Sequence, residues 1–393
     1  MTALRLKKRE ERRVQSGHAW VFSNEIDTSV TPLKDLEPGS DITLETANGK
    51  FLAHAYVNPH SLITARVTSR RANHPFTATV LRERLAMAWQ LRQFRYSENY
   101  YRLIYSEGDL LPGLTVDRYD DVLVVQITTA GMERYRDEIV DALQTLCDAR
   151  SILLRNDAPV RELEQLPLYQ QWVVGPEIDT LHIRENGLSF EVPAQISQKT
   201  GWFYDHRESR AALAPWVNDK RVLDVYTYIG GFGINAAALG ATEVLGIDVS
   251  QAAVDAASAN ARINNCADRY TARCDDAVEA MRTLYEEGER FDVVVLDPPA
   301  FIKKRKDRDA GLRHYGLNNK LAMRLLKPGG VILSASCSQA LSHDELLQQM
   351  RKSVPGNAQG LQVLGHLQQG ADHPVNVAMP ETLYLTGAIA RVI

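Results

Sequence analysis

The chain has 393 residues, a hydrophobic fraction of 45% and a net charge of −4 at pH 7. This length allows two or three domains, and the composition is that of a folded globular protein. The negative net charge excludes a chain that binds nucleic acid through an overall basic character, although local basic patches remain compatible with it. No apolar run reaches roughly 18 residues, the length of a membrane-spanning helix, so we expect no membrane partner.

The four cysteines, Cys147, Cys266, Cys274 and Cys337, are scattered and form no C-x-x-C pair. This pattern argues against a disulfide scaffold and against a zinc site, and it is typical of a reducing compartment. The first residues, M-T-A-L-R-L-K-K-R, lack the apolar segment of a secretory signal. We therefore expect a cytoplasmic protein without a bound metal.

Residues 1–72 are predicted to form a small β domain with barrel-like spacing of its strands. Turn signals separate the strands, and Asn48-Gly49 is typical of a tight hairpin. The predicted strands are Ala19–Phe22, Asp41–Glu45, Phe51–Val57 and Leu62–Val67.

Residues 73–180 are predicted to form a middle α+β domain. Four polar side chains in it, Glu107, Asp109, Asp117 and Arg118, are compatible with a ligand site, but pairing within the domain explains them better. Its predicted elements are a helix over Phe76–Arg95, a strand over Leu123–Thr128, a helix over Met132–Leu146 and a strand over Ile152–Arg155.

Residues 181–393 alternate between apolar strands and amphipathic helices, which predicts a doubly wound, Rossmann-like parallel sheet. The whole chain is thus a multi-domain α/β protein. The predicted strands and helices are Arg221–Tyr226, Gly233–Leu239, Glu243–Asp248, Ser250–Asn264, Phe291–Asp297, Asn318–Leu326, Gly330–Ser336 and His343–Arg351.

Two predicted strands end in reactive side chains. The run V-V-V-L-D-P-P-A-F ends a strand at Asp297, and S-A-S-C-S places Cys337 at the end of another. Open α/β sheets bind ligands outside the carboxyl ends of their strands. We therefore expect Asp297 and Cys337 to face one crevice.

The first strand of this sheet ends in D-V-Y-T-Y-I-G-G-F, residues 224–232. A methyltransferase loop of the form D-x-G-x-G-x-G would carry glycine at 226, 228 and 230, but the first two positions are Tyr226 and Tyr228. The missing glycines argue against a dinucleotide. Gly230 and Gly231 still allow a ligand to approach the backbone at a helix N-terminus.

Acidic residues follow the next two strands. Asp248 is placed to bind ribose hydroxyls, and Asp276 to accept a hydrogen bond from an adenine amino group. Each could equally be a helix cap. In this order, at successive strand ends, they favour a nucleoside-bearing cofactor, and S-adenosylmethionine is the best candidate because no phosphate-binding loop is present.

Basic residues concentrate beside D-P-P-A-F. The segment Lys303–Lys320 contains seven Lys or Arg against Asp307 and Asp309, and smaller clusters lie at Arg5–Arg13 and at Arg66, Arg70 and Arg71. Such patches contact phosphates, although solvated loops are the alternative. The patch beside Asp297 is predicted to lie as a basic loop at the mouth of the crevice.

With these motifs, the sequence resembles the ribosomal RNA large-subunit methyltransferase I family over essentially its whole length. G-H-A-W-V-F-S at 17–23 is similar to the start of the family's PUA domain, an RNA-binding barrel. E-G-D-L-L-P-G-L-T-V-D-R at 107–118 resembles its middle domain. K-T-G-W-F-Y-D-H-R at 199–207 resembles its approach to the cofactor, and A-D-H-P at 371–374 and P-E-T-L-Y-L at 380–385 its C-terminal end.

The resemblance implies an S-adenosylmethionine-dependent enzyme that makes 5-methylcytosine in 23S rRNA. It implies cofactor contacts at Tyr228, Gly230, Gly231, Phe232, Asp248, Asp276, Asp297 and Arg207. Cys337 is then the nucleophile that adds to carbon 6 of the cytosine, and Asp297 the residue that orients the base. The alternative for Cys337 is a small buried apolar residue.

One departure from the family pattern leaves a second substrate open. His206 replaces the usual Gln, and the D-H-R form also occurs in a related domain that methylates guanine N7. That domain has a polar S-N-N-like stretch where this chain has S-C-S, so Cys337 favours cytosine. A non-catalytic RNA-binding or ribosome assembly factor is the remaining alternative, and the sequence leaves a homodimer open.

Overall fold

The computed structural model describes residues 2–194, 200–302 and 304–393, apart from the side chain of Arg305. Lys199 and Lys303, both part of predicted motifs, lie outside the described residues. Contacts divide the chain into two compact units. The first contains residues 2–179, 200–201 and 371–382, and the second contains 180–194, 202–370 and 383–393. The predicted domain boundaries at 72 and 180 stay predictions.

The first unit contains two five-stranded sheets. One has the order β1-β3-β4-β5-β2 and the other the order β10-β9-β8-β7-β6, with α2 and α4 packed on the second. The elements are β1 (Thr2–Arg5), α1 (Glu11–Gln15), β2 (Trp20–Phe22), β3 (Ser40–Glu45), β4 (Phe51–Val57), β5 (Ile63–Ser69), α2 (Ala78–Arg95), β6 (Tyr100–Tyr105), β7 (Leu114–Tyr119), β8 (Val122–Ile127), α3 (Ala130–Glu133), α4 (Arg136–Cys147), β9 (Ser151–Asn156) and β10 (Tyr169–Val174).

The predicted hairpin at Asn48-Gly49 is confirmed, because β3 and β4 pair in antiparallel fashion on either side of it. Gly49 has a φ of 74°, a left-handed conformation that glycine adopts without a Cβ clash. The sheet encloses an apolar core that includes Leu4, Val21 and Ile42. Strand β1 was missed, because four residues of mixed character give no clear alternation.

Asp109, Asp117 and Arg118 pair within the middle segment, as the preferred interpretation predicted, whereas Glu107 accepts a hydrogen bond of 2.7 Å from Nε1 of Trp20. Asp109 accepts two hydrogen bonds of 2.7 Å from the buried Arg92, and Asp117 accepts bonds of 2.6 and 3.1 Å from Arg102. Asp372, in the A-D-H-P motif, accepts the backbone N–H of Arg102 at 3.0 Å. That motif therefore belongs to the first unit.

The second unit is built on a seven-stranded sheet, with the hairpin of β11 and β12 as a separate two-stranded sheet. Its elements are β11 (Thr180–Glu185), β12 (Leu188–Pro193), α5 (Arg207–Ala211), α6 (Ala214–Val217), β13 (Arg221–Val225), α7 (Gly231–Ala238), β14 (Glu243–Asp248), α8 (Gln251–Ile263), β15 (Tyr270–Cys274), α9 (Ala277–Glu286), β16 (Phe291–Leu296), α10 (Arg308–Arg324), β17 (Leu326–Ser336), α11 (His343–Lys352), β18 (Leu361–Leu367) and β19 (Thr386–Val392).

The strand order of the large sheet is β15-β14-β13-β16-β17-β19-β18. Strands β13 to β17 are parallel, but β19 runs antiparallel to both of its neighbours. The prediction of a parallel sheet was therefore wrong for β19. The order reverses between β13 and β16, so the carboxyl ends of these two strands form the switch point at which doubly wound sheets bind ligands.

The predicted basic loop is largely helical. Helix α10 begins at Arg308, ten residues before the predicted start at Asn318, because Gly311 and Tyr315 pack into the interior while the charged residues stay outside. The run of Lys and Arg concealed this stripe. Within the described ranges, no helix combines the length and the apolar character that crossing a bilayer requires.

Candidate active site

The loop after β13 is fixed by one buried carboxylate. Oδ2 of Asp224 accepts hydrogen bonds from the backbone N–H of Gly233 at 2.8 Å and from the hydroxyl of Thr227 at 2.6 Å. Burial raises the pKa of Asp224 to about 6, although these two hydrogen bonds oppose the shift. Asp224 thus ties the end of β13 to the first turn of α7.

Tyr226, Tyr228 and Gly230 all have positive φ values, of 68°, 52° and 88°. These are the three positions at which the methyltransferase pattern would have glycine. The loop therefore keeps the left-handed turns of a glycine-rich loop, with two tyrosines carrying the strain that glycine avoids. The hydroxyl of Tyr226 donates to Oδ1 of Asn318 at 2.8 Å, which helps to hold that residue in place.

Asp248 ends β14, next to this loop. Its Oδ2 accepts the backbone N–H of Tyr228 at 2.9 Å, and its Oδ1 accepts the N–H of Ser250 at 3.0 Å. A carboxylate has about four acceptor sites, so two remain for a ligand. Asp248 is not the cap of α8, because that cap is Ser250, whose Oγ accepts the N–H of Ala253 at 3.3 Å. The ligand role of Asp248 stays a prediction.

Asp276 is exposed, and its Oδ1 caps α9 by accepting the N–H groups of Val278 and Glu279 at 2.9 and 3.1 Å. The cap alternative is thus confirmed for Asp276. Gly231 begins α7, and Phe232 is buried against the imidazole of His206, with ring centroids 5.3 Å apart.

Two contacts of Arg207 are made with residues outside this loop. Its Nε is 3.6 Å from the buried Glu185, and its guanidinium stands over the ring of Tyr204. Glu185 also accepts hydrogen bonds from Trp202 and Arg210. These contacts give Arg207 a structural role, and its contact with the cofactor stays a prediction.

Asp297 follows β16 and pairs with His206. Its Oδ2 is 3.2 Å from Nε2 of His206, whose side chain is buried. Burial alone would lower the pKa of His206, but the charge and hydrogen bond of Asp297, with the charge of Asp205, outweigh it and raise the pKa above its usual value. Nδ1 of His206 has no hydrogen-bond partner among the described residues.

Cys337 lies one residue beyond β17, which pairs with β16, so Asp297 and Cys337 stand at the same edge of the sheet as predicted. The serines on both sides of Cys337 are buried, and both hydroxyls contact the phenol of Tyr315: Ser336 donates at 2.7 Å, and Ser338 lies at 2.8 Å. Cys337 itself is partly exposed. The hydroxyl cluster thus anchors the strand end, and the cysteine between the two serines stays partly exposed.

The structure brings together residues that the sequence did not connect. The contact between His206 and Asp297 joins positions 91 apart and gave no signal beyond the D-H-R motif. Tyr315 was missed because it lay in the presumed loop. The alternation S-C-S could have indicated it, because residues two apart near a strand end face the same side.

The residues at the switch point fit a nucleoside cofactor. The left-handed turns open the backbone at the N-terminus of α7, and Asp248 retains acceptor capacity for ribose hydroxyls. With Asp297 and a thiol on the neighbouring strand ends, this fold and this site define an S-adenosylmethionine-dependent methyltransferase.

Comparison with known proteins gives the same class and a narrower family. The PUA-like domain family matches residues 4–70, and the S-adenosylmethionine-dependent methyltransferase family matches residues 158–376. The chain is 36% identical to a ribosomal RNA large subunit methyltransferase I from Cronobacter sakazakii and 35% identical to one from Yersinia pestis, over 98% of each chain. The chain belongs to the ribosomal RNA large subunit methyltransferase I family.

Solved structures agree with this fold. A candidate SAM-dependent methyltransferase from Streptococcus mutans superimposes with a TM-score of 0.84 at 21% identity, over 100% of both chains. A tRNA m1G37 methyltransferase from M. jannaschii gives a TM-score of 0.52 at 16% identity, over 79% of this chain and 78% of its own. At such identities the likeness concerns the fold alone.

Proposed function

We propose that this enzyme transfers a methyl group to carbon 5 of a cytosine in 23S rRNA, and that Cys337 is its nucleophile. The observation that carries the proposal is the position of Cys337. It stands partly exposed beside the strand that ends in Asp297, with its two neighbouring serines turned towards Tyr315. The family to which the chain belongs supports rRNA as the substrate.

The proposed chemistry follows from the low nucleophilicity of carbon 5 in cytosine. The thiolate of Cys337 adds to carbon 6, which breaks the aromaticity of the ring and makes carbon 5 enamine-like. S-adenosylmethionine, when bound, would supply an electrophilic methyl group to this carbon, with cleavage of the bond between its sulfur and the methyl group and release of S-adenosylhomocysteine. The proton then leaves carbon 5 to a base, the bond between sulfur and carbon 6 breaks, and the thiolate of Cys337 is restored.

Residues of the second unit would hold the two reactants. The turns at Tyr228 and Gly230, with Gly231 and Phe232, would shape the cofactor pocket, and Asp248 would bind its ribose, with Asp276 beside the adenine. Asp297 would orient the cytosine and stabilise its protonated ring. The ring of Phe301, 4.9 Å from that of Tyr315, would stack on the unpaired base.

RNA binding would use basic side chains at the mouth of the crevice and the PUA-like sheet of the first unit. Lys304, Lys306 and Arg313 are exposed in the part of the basic segment that follows Asp297. Phosphate contacts of this kind supply affinity without sequence specificity. The proposal thus makes rRNA the partner of a cytoplasmic enzyme.

A second candidate is methylation of guanine N7, and His206 favours it, because the D-H-R form is shared with a domain of that activity. The contact of His206 with Asp297 supports this candidate, because Asp297 is the residue that would orient the base. The two candidates differ in their need for Cys337, because N7 of guanine is itself nucleophilic and requires no covalent adduct.

Mass spectrometry of nucleosides from 23S rRNA of a deletion strain tests the proposal. Loss of one 5-methylcytidine, restored by the parent gene but not by Cys337→Ala, is the expected result. Loss of a methylguanosine instead would overturn the cytosine assignment. Unchanged methylation would leave the assembly factor as the remaining function.

A further inference from the structure

A cleft on the second unit lies far from the candidate active site. It has a volume of 790 Å³ and includes the amino end of β17 and the ends of α10 and α11. The residues Asp297 and Cys337 stand at the opposite, carboxyl edge of the same strands. We call this feature the rear cleft and define it by Tyr285, Arg290, Lys320, Arg324, Lys327 and Lys352.

The rear cleft is strongly basic. Five of its lining side chains are Lys or Arg, and among the described residues no Asp or Glu side chain lines it. Lys327 forms an ion pair with Asp292 at 2.8 Å. Lys320, Arg324 and Lys352 have no ion-pair partner in the described part of the chain. At least three charges thus remain uncompensated.

An aromatic ring, rather than a carboxylate, positions the two arginines. The guanidinium carbons of Arg290 and Arg324 lie 4.4 and 5.7 Å from the ring centroid of Tyr285. A cation held over a ring keeps its charge, and its N–H donors can still bind an anion, although Nη1 of Arg290 already donates to the backbone oxygen of Glu289 at 2.7 Å. Arginine arranged in this way suits the bidentate recognition of phosphate.

Helix α10 connects the two edges of the sheet. Its 17 residues span about 25 Å, and it begins just after the loop that carries Asp297 and Phe301. Arg313, Lys320 and Arg324 are exposed and lie within about 40° of one another around the helix, because seven and eleven residues are close to whole numbers of turns. From Arg313 onwards, one face of α10 is therefore a basic stripe that leads to the rear cleft, and the exposed Asp309 lies on the same face at the crevice end.

We propose that this stripe and the rear cleft bind the phosphodiester backbone of the RNA substrate. The inference rests on the proposed function, since it takes the polyanion to be the RNA whose cytosine enters the crevice. The RNA segment that leaves the crevice runs along α10, and its last contact with the protein is in the rear cleft. The methyltransferase unit thereby holds RNA on two edges of its sheet.

The test uses the full chain and an unmodified transcript of 23S rRNA. In Lys320→Gln/Arg324→Gln/Lys352→Gln, the slope of log affinity against log salt should fall by about 2, because each phosphate contact contributes about 0.7 on a single strand. We expect RNA affinity at physiological salt to weaken about tenfold. The KM for RNA should rise by a similar factor, while kcat and S-adenosylmethionine affinity stay at the parent values.

Three further variants serve as controls. Arg262→Gln removes an exposed arginine from the end of α8, outside the stripe, and should behave as the parent, whereas Arg324→Gln alone should lower the slope by about 0.7. The charge-preserving triple variant Lys320→Arg/Arg324→Lys/Lys352→Arg should restore binding.

Parental affinity and salt slope in the triple glutamine variant would overturn the inference, as would failure of the charge-preserving variant to bind. If the parent still methylates cytosine in that case, the proposed function stands. A parent that neither binds nor methylates the transcript would overturn both.

Discussion

Two groups of strands in the seven-stranded sheet are held at their carboxyl ends by different kinds of side chain. At the ends of β13, β14 and β15, which we call the cofactor half, carboxylates accept backbone N–H groups: Asp224 from Gly233, and Asp248 from Tyr228. At the ends of β16 and β17, which we call the substrate half, Tyr315 and two serines hold the chain through hydroxyl groups. Cys337 stands between these serines.

The difference indicates how each half combines stability with function. In the cofactor half, Asp248 fixes the loop, and we propose that the same carboxylate binds the cofactor, so one substitution should affect folding and binding together. In the substrate half the anchoring residues and the proposed nucleophile are separate side chains. Substitution of Cys337 should therefore remove chemistry and leave the fold intact.

The largest expected effect is at Cys337, where a substitution tests whether catalysis and stability depend on different side chains. Cys337→Ala should reduce turnover by on the order of a thousandfold or more, because the covalent step has no substitute. S-adenosylmethionine affinity by calorimetry and the melting temperature should stay at the parent values. The matched control is Cys274→Ala, an exposed cysteine that should keep full activity. Parental turnover in Cys337→Ala would contradict the role of Cys337 as the nucleophile.

The next effect concerns the double role of Asp248. Asp248→Ala should weaken S-adenosylmethionine binding about a hundredfold and lower the free energy of unfolding by about 1–3 kcal/mol, because two backbone N–H groups lose their acceptor. Calorimetry and denaturant unfolding measure the two quantities. Asp255→Ala, an exposed position on α8, is the control. Loss of affinity without loss of stability would contradict a shared role.

Removal of one hydroxyl tests the anchor of the substrate half. Tyr315→Phe should lower the free energy of unfolding by about 1–2 kcal/mol, because Ser336 and Ser338 lose their common partner inside the protein. We also expect kcat to fall about tenfold, with unchanged cofactor affinity, as the strand end loosens around Cys337. Tyr285→Phe, whose ring is exposed, should leave stability unchanged. An equally stable Tyr315→Phe would argue against the anchor.

The smallest effect is a pH dependence that joins the substrate half to His206. The pKa of His206 is raised in the folded chain, so its pairing with Asp297 contributes fully below the ordinary histidine value of 6.5 and is lost as the pH rises through the folded pKa. Between pH 6 and pH 9 the melting temperature of the parent should fall by more than that of His206→Gln. His182→Gln, at an exposed histidine, should follow the parent curve. Identical curves for the parent and His206→Gln would contradict this pairing.

The sequence predicted the parts of the fold that depend on regular patterns. Alternating strands and helices placed Asp248, Asp297 and Cys337 at the carboxyl edge, because parallel strands joined by helices end on one side. The left-handed tyrosines could not be predicted, since propensity assigns such turns to glycine. The reversed β19 and the early start of α10 depend on tertiary packing that local residues do not encode.

The proposed chemistry of the substrate half depends on one covalent bond, between the sulfur of Cys337 and carbon 6 of the target cytosine. A 23S rRNA transcript containing 5-fluorocytidine tests it directly, because fluorine cannot leave carbon 5 as the proton does and the adduct therefore persists. With S-adenosylmethionine present, we expect a stable complex of protein and RNA whose linked peptide contains Cys337. Absence of this complex, or its persistence in Cys337→Ala, would contradict the account.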